Sequence, residues 1–324
     1  MNKGSLLRMK IHPVFMEKRR LFKKGGIGGG FNIFHYLMAG MEKCELNEFG
    51  LSEYSVKDLG RIKETHPNSE KTKTRFCAWK KSLGQLGIPL PDIMRVLAAV
   101  VLMGNMSYEG KADHCVGTVA RLLGVEQDCL VDGLWRKSHL VNRTLFKRNL
   151  DEKEWELARA GLACSLYMRT IHIIIRRVNT HPPPICSGKN VLATSLIGIL
   201  DMFGWQTSLQ SAGNLEQLCM NLCSESLQLL YNKNNTVIME DSDSPNCNHL
   251  LAPLDCGLLK WVDRETQGRG DRQSLVNRIH DMQRTNQKLF VPERFHSYCF
   301  GIRHFAGPVV YDASLFIGEQ RNLN

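Results

Sequence analysis

Residues 194–231, TSLIGILDMFGWQTSLQSAGNLEQLCMNLCSESLQLLYN, constrain the fold more than any other stretch. SLIGIL is apolar without alternation, which predicts a strand buried on both faces, and it ends in Asp201. A glycine-bearing turn follows at 202–206, then a polar loop, then an apolar-striped helix from about Asn214. Many nucleotide-hydrolysing α/β folds use a buried strand with one carboxylate at its C-terminal edge to set a charge beside Mg²⁺ and phosphate. The plainer reading is an aspartate that caps the turn. Burying a carboxylate there is costly unless it is paired or lies near a cation.

Upstream, residues 1–24 are basic and patchy, and Pro13 demotes any strand there to an edge. GGIGGG (25–30) reads as a linker, because no Lys-Ser/Thr follows and no GxGxxG is seated after a clear strand. From Phe31 the pattern turns helical, with Phe31, Phe34, Leu37 and Met38 on one face. Residues 41–70 are polar and turn-rich, which predicts a surface excursion. RFCAWKKSLGQL (75–86) predicts a helix closed near Gly87. IPLPDIMRVLAAVVLMGN then starts a helix with Pro91-Asp92 and is apolar nearly all round, so that helix should be buried.

A helix, a break at Gly124 and a short helix fill 113–135. LWRKSHLVNRTLFKRNL (134–150) alternates apolar and basic residues, which suits a hairpin or exposed loop carrying Arg136, Lys137, Arg143, Lys147 and Arg148. Asp151 with Glu154 has capping-box spacing for a long helix over 152–178, which THPPPICSGKN (180–190) ends. Residues 232–249 read as loop. Helices over 257–264 and 274–284 flank a tight basic tip, TQGRGD, at 266–271. RFHSYCFGIRHFAGPVVYD (294–312) predicts two short strands around Gly307-Pro308.

At 324 residues the chain can hold about two domains or one large one. Its formal net charge of +10 favours an acidic partner without choosing among nucleic acid, membrane surface and acidic filament. The 11 cysteines follow no paired framework, and no signal peptide is evident, so buried free thiols in a reducing compartment are expected. No run of 18 apolar residues exists, so no membrane span is expected. Cys219 and Cys223 lie one helical turn apart, but no further ligand pair has metal spacing, so core thiols are the reading and no metal is assigned. There is no GxSxG elbow for nucleophilic catalysis, and Ser187-Gly188-Lys189 reads as loop. His35, His172 and His280 fall in helical patterns, where exposed or satisfied histidines are the default.

LIGILDMFGW followed by NLEQLCMNLCSESLQLLYN resembles the switch II and relay helix of myosin motor domains. The family pattern is a strand ending Asp-x-x-Gly-x-Glu, then a helix beginning Phe-Glu-Gln-Leu-Cys-x-Asn. Asp201 and Gly204 match it, as do Leu215, Glu216, Gln217, Leu218, Cys219 and Asn221. FNIFHYLMAG, LAAVVLMGNMSY, LARAGLACSLYMRTIHIIIRRVN and FGIRHFAGPVVYD are similar, in order, to the stretch after switch I, the apolar helix ending Gly-Asn, the long helix before switch II, and the His-Tyr-Ala-Gly-x-Val-x-Tyr segment. The collinear likeness covers most of 31–321. With Gln206 and NLEQLCMNLC, the chain is also similar to divergent Dachs-like unconventional myosins.

The resemblance implies an α-rich α/β architecture: part of a P-loop NTPase fold of the myosin-motor type, mostly helices with a partial, mixed central sheet. It implies a basic stretch and linker at 1–30, an upper-cleft helical part at 31–190, and switch II, relay helix and lower-cleft part at 191–324. Actin filaments are the implied partner. The implied contacts are Arg136, Lys137, Arg143, Lys147 and Arg148 in the upper half and Lys260, Arg264, Arg269 and Arg272 in the lower half, where basic tips would steer association with an acidic filament. Nucleic acid is not an expected partner, and cargo is unassigned. The implied location is the cytoplasm and its cytoskeleton.

The departures bear on activity. The sequence contains no Gly-x-x-x-x-Gly-Lys-Ser/Thr and no Asn-x-x-Ser-Ser-Arg, and Gln206 stands where the family carries the switch II glutamate. A neutral amide cannot form that glutamate's ion pair or assist proton movement as a carboxylate does. Residues 232–249 are also much shorter than the family's stretch after the relay helix, and the converter and lever arm have no counterpart. ATP and Mg²⁺ are therefore expected of a complete motor rather than of this chain by itself. Two expectations follow: an actin-binding motor segment without its own ATPase, or a non-catalytic myosin-derived scaffold.

Overall fold

Helical periodicity in 31–180 produces seven helices among the described residues and one β-hairpin. The computed structural model describes residues 9–14, 21, 31–54, 70–109, 114–141, 144–180, 197–201, 204–205, 212–235, 257–267, 272–283, 288–293, 295–314 and 316. The chain divides into two compact units, Met1–Val191 and Leu192–Asn324.

In the first unit, α1 (Asn32–Gly40) packs against α3 (Glu70–Gln85). The apolar helix α4 (Leu90–Asn105) starts with proline in its first turn and buries Ile93, Met94 and Leu97–Met103. It packs against α5 (His114–Leu123) and α7 (Glu152–Thr180), as its all-round apolar surface requires. Each large side chain so buried stabilises by about 1.5–3 kcal/mol before ordering entropy is subtracted. Gly124, at φ 67°, ends α5 in the left-handed region before α6 (Gln127–Trp135). The Arg159 guanidinium of α7 donates to the carbonyls of Met103 (2.8 Å) and Gly104 (3.0 Å), so a cation closes the C-terminus of α4.

The basic stretch after α6 forms the hairpin β1 (Arg136–Val141) and β2 (Thr144–Asn149), paired antiparallel from Arg136↔Asn149 to Val141↔Thr144. The capping box of α7 is present: Glu154 N–H donates to Asp151 Oδ1 at 2.8 Å, and Asp151 N–H donates to Glu154 Oε2 at 3.3 Å. The expected surface excursion at 41–70 is corrected in part. α2 (Lys43–Glu48) lies there with its own Glu42–Glu45 capping box, and Met41, Phe49 and Leu51 are buried. A six-residue helix carries less than two turns of periodicity, too little to stand out.

In the second unit, α8 (Leu215–Asn235), α9 (Gly257–Gln267) and α10 (Arg272–Gln283) cover a sheet of order β3-β4-β5. Its strands are β3 (Leu289–Phe290), β4 (Cys299–His304) and β5 (Gly307–Asp312), all antiparallel. The turn falls at Phe305-Ala306 rather than at Gly307-Pro308. Pro308 pairs with Arg303 inside β5, an outer strand of that order, where proline is tolerated. The expected loop from 232 begins later, since α8 runs to Asn235.

The buried strand expected at 195–201 is not found in the part described, 197–201, which is irregular. Ile197, Ile199 and Leu200 are 86%, 91% and 68% exposed. Apolar composition makes a strand only where a neighbour supplies the ladder, and no described residue pairs with this segment. The sheet is thus smaller than expected, and its one parallel element among the described residues is a bridge from Gly213 to Tyr311. Buried thiols are corrected too: of the eight described cysteines all are free, but only Cys299 is buried. No helix among the described residues is long and apolar enough to cross a membrane.

Candidate functional site

The entry to α8 is built from backbone. Gly213 N–H donates to Val310 O at 2.7 Å, and Asp312 N–H donates to Gly213 O at 2.8 Å, so the chain joins the free side of β5 just before the helix starts. A Cβ at Gly213 would lie 2.9 Å from Tyr311 Cδ1, so only glycine allows this approach. Asn214 caps the helix: its Oδ1 accepts from Gln217 N–H at 2.9 Å, and its own N–H donates to Gln217 Oε1 at 3.1 Å. Leu215 and Leu218 are buried in a core with Phe300, Ile302, Val309 and Tyr311, while Glu216 is half-buried.

Beneath that core contact lies a buried polar network. Asn221 Nδ2 donates to the Tyr311 hydroxyl at 2.8 Å. The hydroxyl lies 2.9 Å from His304 Nε2, and His304 Nδ1 lies 2.8 Å from Glu225 Oε2. Lys288 Nζ donates to Glu225 Oε1 at 2.6 Å. One proton arrangement satisfies every group: Tyr311 donates to Nε2, and Nδ1–H donates to the carboxylate. Burial by itself would raise the Glu225 pKa, but the hydrogen bonds from His304 and Lys288, with the Lys288 charge, outweigh it and hold the carboxyl below its usual range. Burial pushes the Tyr311 hydroxyl up, against the Asn221 hydrogen bond, so it stays neutral. Asn221 and Glu225 lie one turn apart on α8, so this helix is tied to both strands of the β4–β5 hairpin. A fully satisfied buried network of this kind rigidifies the junction of α8 with the sheet.

Asp201 and Gly204 are exposed, and Gln206 lies outside the described residues. Trp205 between them is half-buried, its ring edge-on to His304 (5.0 Å) and Phe305 (5.4 Å), so this residue touches the network. No chemical step is assigned to these residues.

The basic surfaces carry less free charge than the sequence suggests. Asp132 takes up two cations of the hairpin, Arg136 at 2.6 Å and Lys147 at 2.7 Å, and those contacts hold its carboxyl low. Arg148 pairs in bidentate fashion with Glu154, whose pKa falls to about 2, mainly through that hydrogen bond. Lys137 is exposed and makes no ion pair among the described residues. Lys260 and Arg264 are exposed on one face of α9, one turn apart. Arg143 and Arg269 lie outside the described residues, and Arg272 opens α10 with its side chain undescribed. The structure brings Leu215, Leu218 and Asn221 together with β4 and β5. Glu225, Lys288, His304 and Tyr311 belong to no site expected from the sequence, where the one available signal is the polar pair Asn221 and Glu225, spaced i,i+4 in an otherwise apolar stripe.

The family model "Myosin head (motor domain)" matches residues 1–323. The chain is 26% identical to Myosin-IIIb of Mus musculus over 98% of its length, 24% identical to the Myosin-J heavy chain of Dictyostelium discoideum over 98%, and 27% identical to Myosin-IIIa of Homo sapiens over 98%. It spans 27%, 15% and 22%, respectively, of those relatives' own lengths.

Proposed function

The chain belongs to the myosin head (motor domain) family, and from that premise we propose that it is an actin-binding, motion-transmitting part of a cytoskeletal motor that does not hydrolyse ATP by itself. The observation that carries the reading is the buried link Asn221–Tyr311–His304–Glu225–Lys288, which couples α8, through Trp205 as well, to the switch segment and the β4–β5 hairpin. Asp201, Gly204 and Gln206 are the switch, and Leu215, Glu216, Gln217, Leu218 and Asn221 form the relay. ATP and Mg²⁺ belong to the complete motor. Actin contact falls to the exposed cations Lys137, Lys260 and Arg264 first, because Arg136, Lys147 and Arg148 are held by their own carboxylates. The protein works in the cytoplasm on the actin cytoskeleton. Gln206, in place of an acid, favours a second reading, in which the chain is a scaffold that stays on actin without turnover.

Cosedimentation of the full chain with actin filaments tests the proposal. The chain pellets with filaments at low salt and less so above about 0.1 M, where the Debye length is about 10 Å. Lys260→Glu with Arg264→Glu reduces the pelleted fraction. A chain that stays in the supernatant at low salt overturns actin binding, and actin-stimulated phosphate release from the purified chain overturns the non-catalytic part.

A further inference from the structure

At the start of β4, three donor atoms of different elements converge. His296 Nε2 lies 3.3 Å from Asp312 Oδ2, Cys299 Sγ lies 3.6 Å from Nε2 and 3.8 Å from Nδ1, against the ring, and the three residues' donor atoms all lie within 4.8 Å of one another. A tetrahedral zinc ion, with bonds of about 2.0–2.3 Å, spaces its nitrogen, oxygen and sulfur ligands about 3.3–3.6 Å apart. We propose that His296, Cys299 and Asp312 form a zinc site with three protein ligands and a fourth position open to water. The proposal stands independently of the motor reading.

The backbone holds the thiol and the carboxylate in place, and the exposed imidazole turns about its own side-chain bonds to direct Nε2 between them. Cys299 and Asp312 are opposite partners in the β4–β5 register. Cys299 N–H donates to His296 O at 3.0 Å, which closes the turn that brings the histidine back over the strand. Asp312 Oδ1 accepts from Ser314 N–H at 2.8 Å, which leaves Oδ2 directed at the imidazole. His280 Nε2 lies 3.2 Å from Cys299 O, anchoring that residue to α10. Oriented donors of this kind fix the geometry of a metal centre. Thiolate with imidazole suits zinc rather than magnesium or calcium, and zinc has no electronic demand for a regular geometry. The His296 side chain is 54% exposed, Asp312's is 16% exposed and Cys299 is 1% exposed, so an ion can enter past the ring and bind at a wall shielded from water. Binding displaces the Sγ proton to solvent and forms the Zn–S bond. With zinc on Nε2 the ring proton sits on Nδ1, and the long contact from Tyr298 N–H to Nδ1, 3.4 Å, opens.

Cobalt substitution tests the site, because a thiolate–cobalt bond gives a charge-transfer absorption. The full chain is titrated with Co²⁺, then with Zn²⁺, alongside Cys299→Ser, His296→Ala and Asp312→Asn. The wild type shows the band, Zn²⁺ removes it, and Zn²⁺ raises the melting temperature. Cys299→Ser loses the band, and His296→Ala, at an exposed position that leaves the fold intact by circular dichroism, weakens binding on the order of ten-fold or more. An unchanged band and unchanged affinity in both Cys299→Ser and His296→Ala overturn the proposal, as does a wild type whose melting temperature does not respond to Zn²⁺.

Discussion

Glu225 is the residue on which the second unit's buried polar chemistry converges, since its two oxygens serve Lys288 and His304 separately. A buried ion pair contributes little net stability compared with an apolar replacement, but truncating one partner is costly. Glu225→Ala therefore lowers the unfolding free energy by about 3–5 kcal/mol, read from chemical denaturation at pH 7. The pH dependence has a definite sign. The folded carboxyl sits below its usual value of about 4.3, so the unfolded chain takes up more protons there. The stability Glu225 confers is full above that usual value and is lost as the pH falls through the lower folded value. The gap between wild type and Glu225→Ala narrows below about pH 4.3. A gap that widens on acidification would place the proton elsewhere.

At the scale of elements, α8 depends on its entry as much as on its length. Gly213→Ala drives a methyl group to 2.9 Å from the Tyr311 ring and 3.1 Å from Gln217 Oε1, the capping oxygen. It destabilises by about 1–3 kcal/mol, as overpacking does, and faster hydrogen exchange in the first turns of α8 reads the loss locally. This element was largely legible in the sequence, because 21 residues of apolar stripe with a polar cap leave little choice. The same holds for α4, for the capped α7 and for the period-two hairpin at 136–149. What misled was composition without a partner: SLIGIL has the makeup of a buried strand, yet 197–201 pairs with nothing described. The site was half legible for a related reason. Leu215, Leu218 and Asn221 belong to a local pattern, whereas the bonds from Glu225 to Lys288 and from Asn221 to Tyr311 span 63 and 90 positions, and periodicity carries no such range.

At the scale of the whole molecule, charge opposes an exposed apolar segment. A net charge of +10 keeps copies apart, yet Ile197, Ile199 and Leu200 present their side chains to water in sequence, with no described strand along them. Short apolar runs with unpaired backbone invite edge-to-edge association, and salt that screens the repulsion exposes the tendency. Because these side chains are exposed, they add little to packing, so a charge placed there costs little stability. Ile197→Asp combined with Ile199→Asp therefore lowers light scattering of the concentrated chain at about 0.15 M salt while its melting temperature stays within a few degrees. The paired readout separates two causes. A fall in melting temperature of many degrees would mean that the isoleucines are packed in solution and that scattering comes from unfolding, whereas unchanged scattering with unchanged melting would move the association to another surface.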